Sequence, residues 1–150
     1  MLDRLFTFLA SAPPGEPLPE ADARVAIAAI LVAAARSDGE YDLSERAHID
    51  RILAQRFDLP PSEAEALREE GERTDETASD LVRFTRAVKV SVPHEERARV
   101  LEAVWEIAYA DGERSHEEDA LVRRLAGLLY IEDKDAGLAR KRVEARLGIS

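Results

Sequence analysis

The fold is decided by a stretch that the chain uses twice: RVAIAAILVAAARSDGEYDLSERAHIDRILAQRF at residues 24–57 and RARVLEAVWEIAYADGERSHEEDALVRRLAGLLY at residues 97–130. A constant offset of 73 residues aligns the two copies. Each copy holds an apolar segment, an Asp-Gly-Glu turn and a second apolar segment. A fixed period of this kind is typical of a duplicated structural unit. The sequence therefore predicts a helix-turn-helix unit that is present twice.

Both segments of each unit have helical periodicity. The first, from Val25 to Ala35, is apolar almost all round, which predicts a central, buried helix with Gly39 at its C-cap. Asp42 with Glu45 forms a capping box that opens the next helix. Ser115 with Glu118 repeats that box in the second copy.

Further helical patterns lie outside the repeat, at residues 2–11, 62–71, 77–91 and 133–147. A Pro-rich connector at residues 12–19 cannot be helical. Short connections between helices are typical of bundles. The sequence thus predicts a single all-α domain over residues 1–150, a helical bundle of seven to eight helices with an internally repeated helix-turn-helix unit.

Composition limits the classes of function. The formal net charge of −10 disfavours binding to the phosphate backbone of nucleic acids. The chain has no cysteine, which excludes disulfides and thiolate metal sites. No apolar stretch has the length of a membrane span, so membrane insertion is not expected and a cytoplasmic location is favoured. Two candidate roles for a basic tail around Arg140–Arg142 and Arg146 are to neutralise the acidic turns and to dock an acidic partner. The alternative is structural, because cations at the end of a helix interact favourably with its C-terminal dipole.

Each Asp-Gly-Glu turn places carboxylates at the C-terminal end of a helix, where the helix dipole makes an anion unfavourable. A hard divalent cation, Ca²⁺ or Mg²⁺ rather than Zn²⁺, would explain this choice, because it is bound by carboxylate and carbonyl oxygens. The candidate metal ligands are Asp38, Glu40, Glu45, Asp111, Glu113 and Glu118. The spacing does not fit an EF-hand. The alternative is structural: Asp-Gly is ordinary turn chemistry, and Glu45 and Glu118 belong to helix caps.

The motif Ala-x-x-Asp-Gly-Glu at Ala35–Glu40 and Ala108–Glu113, followed by a Glu and a leucine-rich helix, resembles the tellurite-resistance TerB-like family. The resemblance covers about residues 20–131. It implies an all-helical fold built from a repeated helical unit, in bacterial cytoplasmic proteins linked to tellurite or general stress responses. It also implies a metal-binding acidic cluster, formed by the six candidate ligands above, and no defined reaction.

Other residues favour structural roles. His116 is a candidate ligand for a transition metal with Glu113, although a solvated turn histidine is the simpler interpretation. Three aromatic residues on apolar stripes, Trp105, Tyr109 and Tyr130, are expected in the core. The charged run from residue 68 to 80 is expected to be a solvated face and loop.

No catalytic constellation stands at a recognisable spacing. The sequence therefore predicts a non-enzymatic binding module. The alternative is a metal-free protein-interaction scaffold whose acidic face docks a basic partner or a second copy of the chain.

Overall fold

The computed structural model of the protein describes residues 20–37, 39, 41–77, 80–109 and 116–148. Seven α-helices lie within these residues: α1 (Glu20–Arg36), α2 (Leu43–Phe57), α3 (Pro61–Thr77), α4 (Leu81–Ser91), α5 (His94–Ala108), α6 (His116–Leu128) and α7 (Asp133–Leu147). None of the described residues forms a strand, so the predicted all-α class is confirmed. The predicted helix at residues 2–11 and the connector at residues 12–19 lie outside the described part of the chain.

Helix α1 occupies the centre of the bundle. Every residue from Val25 to Val32 is buried, and α1 contacts α2, α3, α4, α5 and α6. A helix that is apolar on all sides can be accommodated only in this way, because every face needs an apolar neighbour. The predicted central helix is confirmed. None of the helices in the described residues combines the length and hydropathy needed to cross a membrane.

Local hydrogen bonds end α1 and begin α2 as the sequence predicts. Gly39 adopts a positive φ of 86° and donates its N–H to the carbonyl of Arg36 at 3.0 Å. Asp42 then caps α2, since its Oδ1 accepts the N–H of Glu45 at 2.9 Å. The corresponding box of the second copy, Ser115 with Glu118, lies outside what the structure describes.

Residues 68–77 of the charged run form a helix, so the expected loop was wrong for this part, although one face of the helix is exposed to solvent as expected. Helix α3 continues through Gly71 to Thr77, and α4 begins only at Leu81, with Asp80 as its N-cap. Arg68, Thr74 and Asp75 are buried. Gly71 allows α3 to lie close to α1, because a Cβ at this position would lie only 2.8 Å from Ala28 of α1. Residues 68–77 are helical because they pack closely against the central helix.

The three aromatic residues differ from one another. Trp105 is buried, 7% exposed, and Tyr109 is half-buried beside it, as expected. Tyr130 is 67% exposed, so its predicted place in the core was wrong. It follows the end of α6 with a positive φ of 59°, and Lys89 Nζ lies 3.9 Å from its ring centroid. The chain reversal after α6 carries this side chain away from the core.

Helices α1 and α5 run in the same direction. Their first turns meet at the end of α2, where Arg24, Phe57 and Arg99 line one cavity. At the opposite end, Glu106 of α5 lies close enough to His48 of α2 to affect its pKa. The last residues of α1 and α5 and the first residues of α2 therefore lie together. We call this the turn end of the bundle, because both acidic turns begin there.

Candidate functional site

The six candidate metal ligands are covered unequally by the structure. Asp38, Glu40, Asp111 and Glu113 lie outside the described residues, as does the side chain of Glu118. Glu45 lies in the first turn of α2, at the turn end. Among the side chains that the structure describes, no three acidic or histidine residues form a metal-binding group. The site is therefore defined here by the residues that flank the two turns.

Tyr41 follows the first acidic turn and lies between two guanidinium groups. The centres of the Arg36 and Arg46 guanidiniums are 4.9 and 5.0 Å from its ring centroid. Its hydroxyl donates to Glu72 Oε2 of α3 at 2.5 Å. Burial and the adjoining carboxylate both raise the pKa of Tyr41. Tyr41 thus remains a neutral donor that ties the turn to α3.

The arginines near the first turn bind carboxylates of α2 and α3. Arg36 pairs with Asp75 at 3.0 Å and with Glu76 at 2.9 Å. Arg68, only 8% exposed, donates to Asp50 at 2.6 Å and to Glu72 at 2.8 Å.

Glu72 is the carboxylate with the most partners in this network. Arg46 lies 3.8 Å from Glu72, and Tyr41 and Arg68 donate hydrogen bonds to it. Burial alone would raise the pKa of Glu72, but these hydrogen bonds outweigh it and lower the pKa. In total, three arginines face four carboxylates in this network. The guanidiniums around the first turn are therefore already neutralised.

The approach to the second turn has a similar tyrosine in a different setting. Tyr109 directly follows α5 and stacks on Trp105, with ring centroids 5.7 Å apart. Its hydroxyl donates to Glu144 of α7 at 2.6 Å, and Arg140 donates to the same oxygen at 3.1 Å. Each turn is thus bordered by a tyrosine that binds a carboxylate of the helix after its repeat unit, which is α3 for the first copy and α7 for the second. Sequence alignment missed this, because Tyr41 and Tyr109 do not align at the offset of 73.

Among the described residues, the arginines of the basic tail on α7 bind carboxylates of α5 and of α7 itself. Arg142 donates to Glu102 at 3.0 Å, and Arg146 donates to Glu102 at 2.7 Å and Glu106 at 2.5 Å. These partners lie on α5. The tail therefore neutralises acids of the bundle itself and attaches α7 to α5.

The histidines offer little to the site among the described residues. His48 is half-buried on α2, and its Nδ1 lies 2.9 Å from Arg51. Burial and the positive charge of Arg51 lower its pKa, so it is a poor proton carrier at neutral pH. The side chain of His116, the candidate transition-metal ligand, lies outside the described part.

Comparisons with known proteins identify one family. The family model described as "Tellurite resistance protein TerB" matches residues 24–141, which includes both copies of the repeat. Neither curated proteins nor solved structures give a significant match.

Proposed function

Because the chain belongs to the family of the tellurite resistance protein TerB, we propose that it is a non-enzymatic binding module that holds a divalent cation in its duplicated acidic turns. The favoured ions are Ca²⁺ and Mg²⁺, since every candidate ligand is a carboxylate. The proposal assigns the protein to the cytoplasm of a bacterium, in a tellurite or general stress response.

The observation that carries the proposal is the common direction of α1 and α5. Because both helices end at the turn end, the two Asp-Gly-Glu turns begin at the same end of the bundle. Carboxylates from two turns can then serve one shared site, which binds a cation more tightly than two separate turns with two acids each. Ligand number and charge are what set the affinity of such sites.

The charges around the first turn support the same proposal. Arg36, Arg46 and Arg68 face four carboxylates of α2 and α3, which leaves a surplus of one negative charge. Asp42 adds a carboxylate at the start of α2. A cation approaching this end therefore meets a net negative surface.

The test is a titration with Ca²⁺, Mg²⁺, Mn²⁺ and Zn²⁺ while the melting temperature is followed. An ion that binds the native state adds about 2.7 kcal/mol of stability when it is present at 100 times its Kd. We expect Ca²⁺ or Mg²⁺ to raise the melting temperature, and Asp38→Asn combined with Asp111→Asn to abolish that increase. Zn²⁺ acting alone, with loss of its effect in His116→Ala, would instead assign a transition-metal site.

The matched control is Glu65→Gln combined with Glu69→Gln, which changes the net charge equally on an exposed face of α3. This variant should keep the full response to the ion. The cation proposal fails if no ion stabilises the wild type, or if the control loses the response as completely as the double Asp variant.

A second candidate function is a metal-free docking surface, and one observation at the turn end favours it. Leu43, at the start of α2, is 79% exposed beside the acidic turn. An exposed apolar side chain bordered by acids suits a partner that carries basic and apolar groups. In this case a basic partner or a second copy would bind without any ion, and binding would weaken as salt increases. Asp38→Asn with Asp111→Asn would weaken this binding while leaving the melting temperature insensitive to metal.

A further inference from the structure

Two adjoining cavities border α5, and the smaller of them lies at the end of the bundle opposite the turn end. The larger, of 620 Å³, lies between α2, α5 and α7. The smaller, of 380 Å³, lies where the first turns of α1 and α5 meet the ends of α2 and α4. Arg56 and Arg99 line both cavities. These two arginines therefore separate the two cavities, and a ligand in either cavity could contact them.

Arg56 is poorly compensated for its charge. It lies half-buried in the last turn of α2, and its buried Nε has no hydrogen-bond partner in the described part of the chain. Its guanidinium lies 5.8 Å from the centroid of the Phe57 ring. Burial lowers the pKa of Arg56, and the positive charge of Arg99 lowers it further, against a smaller opposing effect of Glu96 and Glu102. A buried donor without a partner is unfavourable, so a ligand that accepts this hydrogen bond gains affinity.

Arg99 does not resolve this imbalance. It is exposed at the start of α5 and makes no ion pair with any residue that the structure describes. Arg56 and Arg99 both belong to the described lining of the smaller cavity, where Glu96 is the one carboxylate. On a chain with a formal net charge of −10, this concave basic surface is unusual.

Other arginines near the cavities differ from Arg56 and Arg99, because they have partners for their charge or their hydrogen-bond donors. Arg142 and Arg146 line the larger cavity but are already bound to Glu102 and Glu106. Arg97, two residues before Arg99, donates to three backbone carbonyls. Arg56 and Arg99 are left beside each other, and two like charges in a cleft are stabilised by an anion placed between them.

The rest of the smaller cavity is apolar. Ala23 and Ile27 of α1, Phe57 of α2, and Val92 and Pro93 after α4 form its walls. Its volume lies within the range of about 300–1,000 Å³ that is typical of small-ligand sites. Guanidinium groups bind carboxylate and phosphate groups through paired hydrogen bonds.

We propose that this cavity binds a small organic anion, whose carboxylate or phosphate group lies between Arg56 and Arg99 and whose apolar part packs against Ile27, Phe57 and Val92. This anion site is independent of the cation proposed at the turn end, because the two sites share no residue and lie at opposite ends of α1 and α5.

The experiment uses the full chain and four probes at constant ionic strength: phenyl phosphate, phenylacetate, inorganic phosphate and benzyl alcohol. Calorimetry gives the affinity, and NMR follows the Arg56 Nε–H and the Phe57 ring. We expect saturable binding of phenyl phosphate or phenylacetate, with both NMR signals shifted, and weaker binding of the two half-probes. The tighter of the two aromatic anions identifies the anionic group.

Variants separate this site from general charge attraction. Arg56→Gln and Arg99→Gln should each weaken binding by about tenfold or more, since each removes a charged hydrogen bond. Arg86→Gln, which removes an exposed arginine that lines neither cavity, should leave the affinity unchanged. Arg56→Gln should also be at least as stable as the wild type, because it removes a poorly compensated buried charge.

Three results would overturn the proposal. The first is the failure of both aromatic anions to saturate the protein. The second is an equal loss of affinity in Arg86→Gln. The third is binding only to a long acidic peptide, with the small anions inert, which would indicate a surface for a protein partner instead of a small-molecule site.

Discussion

A further helix follows each repeat unit, α3 after the first copy and α7 after the second, and the two are attached to the bundle in different ways. Helix α3 is joined to α2 by Arg68, which is buried between Asp50 and Glu72. Helix α7 is joined to α5 by Arg142 and Arg146, both about half exposed, and hardly contacts α6. A cavity of 220 Å³, bordered by Trp105 and Gly137, lies between α6 and α7. The helices of the two copies correspond, but the interface between α2 and α3 has no counterpart between α6 and α7.

Two charge exchanges in the repeat accompany this difference. At the offset of 73, Arg46 and Asp50 of α2 correspond to Asp119 and Arg123 of α6. Asp50 accepts a hydrogen bond from Arg68, whereas Arg123 borders the cavity between α6 and α7 together with Arg140 and two acids, Asp119 and Asp133. One copy is closed by a buried ion pair, and the other is left open.

The strongest test of this comparison removes the buried arginine. Arg68→Met keeps much of the side-chain volume but leaves Asp50 without its partner and removes the main cation at Glu72. Breaking a buried ion pair from one side costs about 3–5 kcal/mol, and we expect a loss near the lower end because Tyr41 still binds Glu72. Chemical denaturation would measure the change in the free energy of unfolding.

The matched variant in the other copy is Arg146→Met. Arg146 is 49% exposed, and Glu102 keeps Arg142 as a partner, so its removal should cost about 1 kcal/mol or less. Equal losses in the two variants would show that the two attachments do not differ in energy.

Two glycines allow the same substitution to be compared in both copies. At Gly71 of α3 a Cβ would lie 2.8 Å from the backbone of Ala28, so Gly71→Ala must push α3 away from α1 and should cost about 1–3 kcal/mol. At Gly137 of α7 nothing lies within 4 Å, so Gly137→Ala should stabilise the helix by about 0.5–1 kcal/mol. Thermal unfolding of both variants would check the opposite signs. A loss in both would mean that α7 packs as closely as α3.

The sequence was sufficient where structure depends on near neighbours. The apolar run of α1, the positive φ of Gly39 and the cap at Asp42 all follow from residues within a few positions of one another. The extent of α3 did not follow, because its burial depends on Arg68 binding Asp50, 18 residues away, and on Arg36 binding Asp75, 39 residues away. A polar sequence contains no local sign that such partners will meet.

The aligned repeats did contain one signal that sequence reasoning left unused. The exchange of Arg46 and Asp50 for Asp119 and Arg123 predicts that the two copies cannot share one pattern of ion pairs. For the candidate site, the sequence identified the acidic turns but neither Tyr41 nor Tyr109 beside them. Whether the six carboxylates bind a cation stays a prediction.

The smallest expected effect concerns Tyr41 and its dependence on pH. In Tyr41→Phe, Glu72 loses one hydrogen bond but keeps Arg68, so the variant should lose about 1 kcal/mol at neutral pH. The folded pKa of Glu72 is lowered below its ordinary value of 4.5, so its contribution to stability is present above that value and is lost as the pH falls through the folded pKa. Since Tyr41→Phe raises that pKa toward the ordinary value, the stability gap between variant and wild type should narrow below pH 4.5.

Denaturation curves at a series of pH values would measure this narrowing, and Tyr130→Phe is the control, because Tyr130 is 67% exposed. Its removal of a hydroxyl should leave stability unchanged at every pH. A gap for Tyr41→Phe that stays constant down to pH 3 would mean that the hydroxyl stabilises the fold without acting through the charge of Glu72. The charge of Glu72 would then depend on Arg68 and Arg46 and not on Tyr41.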